Sequence, residues 1–246
     1  MAFYCGTSNI TLPVPNKASF PPEFRNASRL CYYASLFNTL EVNSSFYKIP
    51  MQRTVEKWAS DVPDQFRFTF KLYRNITHAK ELNYDQQDIQ RFMNSVNGVG
   101  HKKGCILVQF PPGFRVSAFQ QFRQLLDDIK DALGTANWNV AIEFRNKGWY
   151  QDKVYQLLEA YKWSVVVHDM PASATPLIDM DADVVYLRFH GEHGDYRGSY
   201  SQEFLHEYAA YIHDWIREGK TVFAYFNNTV GDAVHNAIAL RNFFKR

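Results

Sequence analysis

Eight short hydrophobic runs rich in β-branched and aromatic residues recur along the chain, and each ends in polar or charged side chains. They are Phe3–Thr7, Thr39–Asn43, Phe66–Lys71, Cys105–Gln109, Val140–Arg145, Ser164–Asp169, Val184–His190 and Thr221–Asn228. Most spacers between them place apolar residues at helical period. Leu30, Tyr33, Ala34 and Phe37 form one such set and Val55, Trp58 and Ala59 another. Asp85–Val96 and Ser117–Leu133 continue the pattern, and Ser117 with Gln120 reads as a capping box before a terminal Gly134. Asp152–Tyr161, Gln202–Glu218 closed by Gly219, and a last helix from Asp232 complete the set. Only Pro171–Asp183 lacks a helical period, so the sixth crossover is expected to be short or irregular. Strands alternating with helices favour parallel strands joined by right-handed crossovers. Eight such units predict an α/β fold, a single (β/α)8 TIM-type barrel over residues 1–246 as one domain. An open doubly wound sheet is the alternative, disfavoured because no glycine-rich dinucleotide turn follows the first strand.

Side chains alternate across a strand, so each run divides into a helix-facing and a barrel-facing set. In the seventh run Val185, Leu187 and Phe189 are the apolar helix-facing set, which turns Tyr186, Arg188 and His190 inward. The same parity turns Glu41 and Asn43, Arg67, Thr69 and Lys71, Leu107 and Gln109, and Glu143 and Arg145 toward the interior. Parity is ambiguous between His168 and Asp169 and between Asn227 and Asn228. At the strand ends the inward set holds three cations, Lys71, Arg145 and Arg188, against two carboxylates, Glu41 and Glu143. Charges brought into a barrel must be paired or face a wet mouth. One reading is a plain ion-pair network tying strands together. The other, favoured because the charges arrive at one end of several strands, is a polar ligand cavity at the C-terminal rim, where such barrels carry their chemistry.

Composition narrows the picture. Hydrophobic residues make up 46% of the 246 and no stretch is long and apolar enough for a membrane span, which describes a large core and no membrane partner. The chain enters its first strand at Phe3, leaving no room for a secretion signal, so a cytoplasmic location is expected. Cys5, Cys31 and Cys105 are too few and too scattered for a disulfide framework or a CxxC metal site and are expected to be buried thiols. A net charge of +2 without a polybasic run gives no global case for nucleic acid, although a local basic pocket stays open.

The strand-end residues lie in phrases that resemble the family called domain of unknown function 72, the YecE-like proteins. The phrases are Gly6-Thr7-Ser8; Glu41-Val42-Asn43-Ser44-Ser45-Phe46-Tyr47 with Pro50; Phe66-Arg67-Phe68 through Lys71; Thr77-His78; and Gln109-Phe110-Pro111-Pro112. They continue with Ile142-Glu143-Phe144-Arg145 before Trp149, Tyr186-Leu187-Arg188-Phe189-His190-Gly191, and Tyr225-Phe226-Asn227-Asn228 before Gly231 and Ala233. The resemblance implies an α/β barrel and supplies no activity. One departure is Asn9-Ile10, where family members often have glycine and an aromatic; Asn still tolerates the left-handed conformation.

Three functions suit such a rim. The first is an enzyme for an anionic, oxygen-rich small molecule, a sugar phosphate or nucleotide-like fragment. Arg145 and Arg188 would grip the anion. Asn43, Gln109, Asn227 and Asn228 would bind hydroxyls, with Tyr47, His78 and Asp169 as further substrate contacts. Glu41 and Glu143 would be the acid/base pair, with His190 or Lys71 as a further proton carrier and Lys71 as a Schiff-base variant. The second is a divalent-metal-dependent phosphoester hydrolase or endonuclease-like enzyme, with Glu143, Asp169, His190, His168 or His78 as ligands. The nearby cations weigh against it, and no residue is assigned to a metal. The third is a non-catalytic protein that binds a metabolite or a nucleic-acid end, with Tyr47, Trp149, Tyr196 and Tyr200 as stacking surfaces.

Overall fold

The computed structural model describes residues 3–177 and 180–245. One sheet contains β1 (Phe3–Thr7), β2 (Thr39–Val42), β3 (Arg67–Lys71), β4 (Lys103–Gln109), β5 (Asn139–Glu143), β6 (Ser164–His168), β7 (Val184–Phe189) and β8 (Thr221–Phe226). Neighbours run parallel in the order β1-β8-β7-β6-β5-β4-β3-β2. A bridge between Ser8 and Glu41 brings β1 to β2, so the sheet is a nearly closed (β/α)8 barrel. The strands stop one or two residues before most of the polar run ends, which places those side chains at the rim. The crossovers carry α1 (Arg29–Leu36), α2 (Ser44–Tyr47), α3 (Gln52–Ser60), α4 (Arg74–Thr77), α5 (Gln86–Val96), α6 (Phe119–Leu133), α7 (Asp152–Tyr161), α8 (Gln202–Arg217) and α9 (Ala233–Asn242). No helix among the described residues is long and apolar enough to cross a membrane.

The seam between β1 and β2 is stitched by side chains in place of a full backbone ladder. The Tyr33 hydroxyl, sent up from α1, accepts from Thr7 N at 2.7 Å and donates to Thr39 O at 3.1 Å. Asn38 donates to Phe3 O and accepts from Cys5 N. A Cβ on Gly6 would stand 2.2 Å from Thr39 O and 2.7 Å from the Tyr33 hydroxyl, so this position tolerates no side chain.

Alternation sorts the core as expected. Phe66, Phe68, Phe70, Ile106, Val108, Ile142 and Phe144 join the layer between sheet and helices, while Cys105, Leu107, Ala141, Val166, Tyr186, Phe223 and Tyr225 fill the barrel. Three local expectations need correction. A 3-10 turn over Val116–Ala118 delays α6, so Ser117 lies inside that turn and no side chain caps the helix. Cys31 is half-buried, unlike the fully buried Cys5 and Cys105, because α1 lies on the surface. Two unforeseen single-turn helices, α2 and α4, follow β2 and β3. The sixth crossover holds no helix among the described residues. Its first part folds back over the rim, where Thr175 N donates to His168 O and the Tyr150 hydroxyl donates to Ser173 O at 2.9 Å.

Candidate functional site

A cavity of about 440 Å³ opens where the strands end. Lys71 at the end of β3, Gln109 at the end of β4 and Arg188 near the end of β7 line it, as do Arg145, Asn43 and Asn227 from just beyond β5, β2 and β8. The short helix α2 raises Phe46 and Tyr47 into the wall, and the sixth crossover adds Met170, Ala172 and Ser173. Of the residues singled out from the sequence, Asn43, Tyr47, Lys71, Gln109, Arg145, Arg188 and Asn227 line this cavity. Glu41, Glu143 and His190 lie completely buried behind it. His78, Asp169 and Asn228 lie off the wall. Asn228 turns outward, donating to Gly198 O and Asn236 Oδ1. The His78 ring edge packs on Phe46 with centroids 4.9 Å apart.

Four of the five inward charges close into one network. Arg188 donates from Nε to Glu41 Oε2 at 3.0 Å, from Nη2 to Glu41 Oε1 at 2.8 Å and from Nη1 to Glu143 Oε2 at 2.6 Å. Arg145 Nε donates to Glu143 Oε1. Ser8 Oγ and the Tyr186 hydroxyl each donate to Glu41 at 2.6 Å, which gives that carboxylate four donors. Burial by itself would raise the Glu41 carboxyl. Arg188 and the two hydroxyls outweigh it and hold the group below its ordinary value. Burial opposes ionisation of Glu143 as well, and Arg145 and Arg188 overcome it to keep that carboxyl well below the usual range. Both are fixed anions at neutral pH. Two carboxylates against two guanidinium groups make the network neutral as a unit.

Lys71 stays outside it. Among the described residues its Nζ makes no hydrogen bond or ion pair and sits 4.1 Å from the centroid of the Phe46 ring. Burial, then the Arg188 cation, lower its pKa to about 8, with Glu143 and Glu41 opposing. A substantial neutral fraction therefore exists near physiological pH, whereas an ordinary lysine is almost wholly charged.

The histidines are committed. His190 Nε2 lies 2.8 Å from Arg145 Nη2 and 3.3 Å from Arg188 Nη1. Arginine only donates, so Nε2 accepts and the proton resides on Nδ1, which faces Asp169 Oδ1 at 3.2 Å. Asp169 also accepts from His190 N and from the Tyr200 hydroxyl. Burial, helped by Arg188 and Arg145 and opposed by Asp169, lowers the His190 pKa to about 4. His168 Nε2 lies 3.0 Å from Phe144 O, and since a carbonyl only accepts, this nitrogen carries the proton. Its Nδ1 then accepts from Met170 N at 3.3 Å. The parity left open in β6 resolves with His168 buried and Asp169 beyond the strand, bracing His190.

Neutral groups complete the wall. Asn43 Oδ1, like Asn228 Oδ1 off the wall, is buried without a hydrogen-bond partner among the described residues. Gln109 donates from Nε2 to Phe110 O at 2.6 Å, which leaves its carbonyl oxygen available. Asn9 adopts φ 61°, the left-handed conformation anticipated for it, and its Oδ1 accepts from Asn43 N. Tyr47 and Tyr196, 67% and 40% exposed, offer ring faces at the mouth. Trp149 does not: its ring stacks on Phe144 at 3° in the core, and Tyr200 is buried. Among the described residues no three His, Cys, Asp or Glu side chains gather in a metal-binding arrangement. Glu143 and His190, named as ligands in the metal reading, spend their lone pairs on arginine.

A nearly closed parallel barrel with its polar cavity at the C-terminal rim defines a TIM-type (β/α)8 protein. The chain belongs to the family described as protein of unknown function DUF72, whose model matches residues 4–246. It is 28% identical over 253 residues to UPF0759 protein YunF of Bacillus subtilis strain 168, covering 88% of this chain and 86% of that one. It is also 25% identical over 118 residues to UPF0759 protein YecE of Escherichia coli K12, covering 48% of this chain and 42% of the relative. A DUF72 family crystal structure from Thermotoga maritima MSB8 superposes with a TM-score of 0.81 at 23% identity, each chain covered completely. Another from Enterococcus faecalis V583 gives 0.78 at 23% identity, covering 98% of this chain and 94% of that one. These structures share the fold.

Proposed function

We propose that the cavity takes a small anionic, oxygen-rich molecule, of the sugar-phosphate or nucleotide-like kind, and that the protein is an enzyme acting on it by acid/base chemistry at the barrel rim. One observation carries the reading: the charged side chains lining the cavity, Lys71, Arg145 and Arg188, are all cations. The carboxylates stand behind them, committed to the arginines. Beyond the N–H groups given to Glu41, Glu143, His190 and Met170 Sδ, Arg145 and Arg188 keep others to present to an oxyanion. Asn43, Gln109 and Asn227 would meet hydroxyls, and Tyr47 and Tyr196 would cover a sugar or base face. The proton-carrying role falls to Lys71, whose pKa near 8 suits the operating pH. Glu41 and Glu143 act as positioning groups that hold Arg188 and Arg145 toward the cavity.

The test is a thermal-shift comparison of sugar phosphates and nucleotides with the corresponding neutral sugars and nucleosides. A ligand at ~100 times its dissociation constant stabilises by about 2.7 kcal/mol. Phosphorylated compounds are expected to raise Tm, and Arg145→Ala to lose the rise. Equal shifts from neutral and phosphorylated compounds would refute the reading. Tight binding without conversion of any bound compound would leave a binding protein, which the exposed Tyr47 and Tyr196 also suit.

A further inference from the structure

We propose that the Lys71 amine condenses with an aldehyde or ketone carbonyl of the bound molecule to form a covalent imine, making the substrate an anionic carbonyl compound such as a keto- or aldehydo-phosphate. The proposal rests on the anionic-ligand reading above, replaces the proton-carrying role given there to Lys71 with a nucleophilic one, and narrows the substrate class. Its basis is placement. Arg145 and Arg188 are each tied to buried carboxylate, yet Lys71 Nζ lines the same cavity with no acceptor bound to it among the described residues. One side of the amine faces the Phe46 ring, with Nζ 4.1 Å from the ring centroid; the ring excludes water there, while its face also attracts an ammonium. Buried carboxylates hold both arginines as cations, whereas among the described residues no carboxylate lies within ion-pairing distance of Lys71. Burial disfavours its protonation most, and of the neighbouring charges Glu143 and Glu41 oppose that effect while the two arginines add to it. They are also placed to hold the anionic end of the ligand while its carbonyl reaches the amine.

The step balances without a further reagent. The neutral Nζ lone pair attacks the carbonyl carbon, and the C=O π pair moves to oxygen. Oxygen then takes one proton from the added nitrogen and one from solvent and leaves as water, so that a protonated C=N bond remains on Lys71. That iminium draws electrons from the neighbouring carbon, which is the route to proton abstraction or carbon–carbon cleavage beside a carbonyl. The neutral fraction of the amine grows as pH rises through about 8, so the condensation quickens over that range.

Reductive trapping of the intact protein tests this. One equivalent of pyridoxal phosphate, an anionic aldehyde, is added with borohydride, which delivers hydride to the imine carbon and fixes a secondary amine. The product is read by intact mass and peptide mapping. The expected result is one adduct on Lys71, formed at least tenfold faster than on exposed lysines such as Lys48 and Lys147, and half-maximal in rate near pH 8. Excess inorganic phosphate should protect, Arg145→Ala should slow labelling tenfold or more, and Lys71→Met should abolish it while keeping a wild-type circular dichroism spectrum. Labelling spread evenly over the lysines overturns the proposal. If pyridoxal phosphate raises Tm but leaves Lys71 unmodified, the imine is wrong and the anionic-ligand reading survives. If uncharged pyridoxal labels Lys71 equally fast and phosphate gives no protection, the anionic substrate class is overturned.

Discussion

Glu41→Gln keeps the volume of a fully buried side chain and removes its charge. In the wild type the carboxylate accepts from Ser8 Oγ and the Tyr186 hydroxyl at 2.6 Å each and from Arg188 Nε and Nη2 at 3.0 and 2.8 Å. An amide brings two N–H donors to a site whose four occupants all donate. The Ser8 and Tyr186 hydroxyls can rotate to accept, but the guanidinium cannot, so at least one Arg188 N–H is left facing another donor. Arg188 also loses one of its two buried counterions. Removing one partner of a buried ion pair costs about 3–5 kcal/mol, and the bonds the amide retains favour the lower end. With a urea slope of about 3 kcal/mol/M, a loss of about 3 kcal/mol lowers the unfolding midpoint by about 1 M at pH 7. The folded carboxyl lies below its ordinary 4.5, so its stabilisation is present above that value and disappears as pH falls through the folded one. The gap between wild type and variant must therefore narrow below about pH 4.5. Lys71 loses a neighbouring anion at the same time, so its pKa drops further below 8 and trapping at pH 7 accelerates. A variant within 1 kcal/mol of wild type at pH 7, or a gap unchanged from pH 7 to 3, would refute this account of the network.

Lys71→Met should stabilise the protein while removing imine formation. The folded pKa of about 8 against an ordinary 10.5 means that protonation disfavours the folded state increasingly as pH falls from 10.5 to 8 and fully below that. Allowing for partial exposure, urea unfolding at pH 7 should show a gain of about 2 kcal/mol that vanishes above pH 10.5. Gly6→Ala forces a methyl against Thr39 O and the Tyr33 hydroxyl in the β1–β2 seam. Such overpacking costs about 1–3 kcal/mol, read in a thermal scan as a Tm lower by roughly 3–10 °C. Imidazole NMR should show His190 as the neutral Nδ1–H tautomer, titrating at about 4. Because that pKa is depressed from 6.5, the contribution of His190 to stability is complete above 6.5 and declines as pH falls toward 4; a midpoint near 6.5 would contradict its place behind the arginines.

Much of the site was legible because strand alternation is a local property. Counting by twos from the apolar residues of β2, β3, β5 and β7 puts Glu41, Lys71, Glu143 and Arg188 on the barrel side, and all four are found there or at its rim. Ser8 was within reach of the same argument, since β1 turns Tyr4 toward the interior. The count lost its hold where strands end: Asp169 and Asn228 lie past the last paired residues, where alternation no longer constrains direction. Met170 and Ser173 carried no signal, because the sixth crossover has no period from which to infer a position.

By itself, then, the chain determined the number of strands, their order of appearance, the side taken by residues within the strands and the end at which polar groups collect, since all of these follow from periodicities counted along a few residues. Which charges neutralise one another was decided only by the tertiary structure. Arg188 meets Glu41 across 147 residues and Glu143 across 45, at distances set by barrel closure and by the positions of the strands around it. Five similar charges in the sequence become two classes in space. Four pair with one another, because their positions around the barrel bring each carboxylate within hydrogen-bond reach of a guanidinium. Lys71, beside a phenyl ring at the edge of that group, makes no ion pair among the described residues.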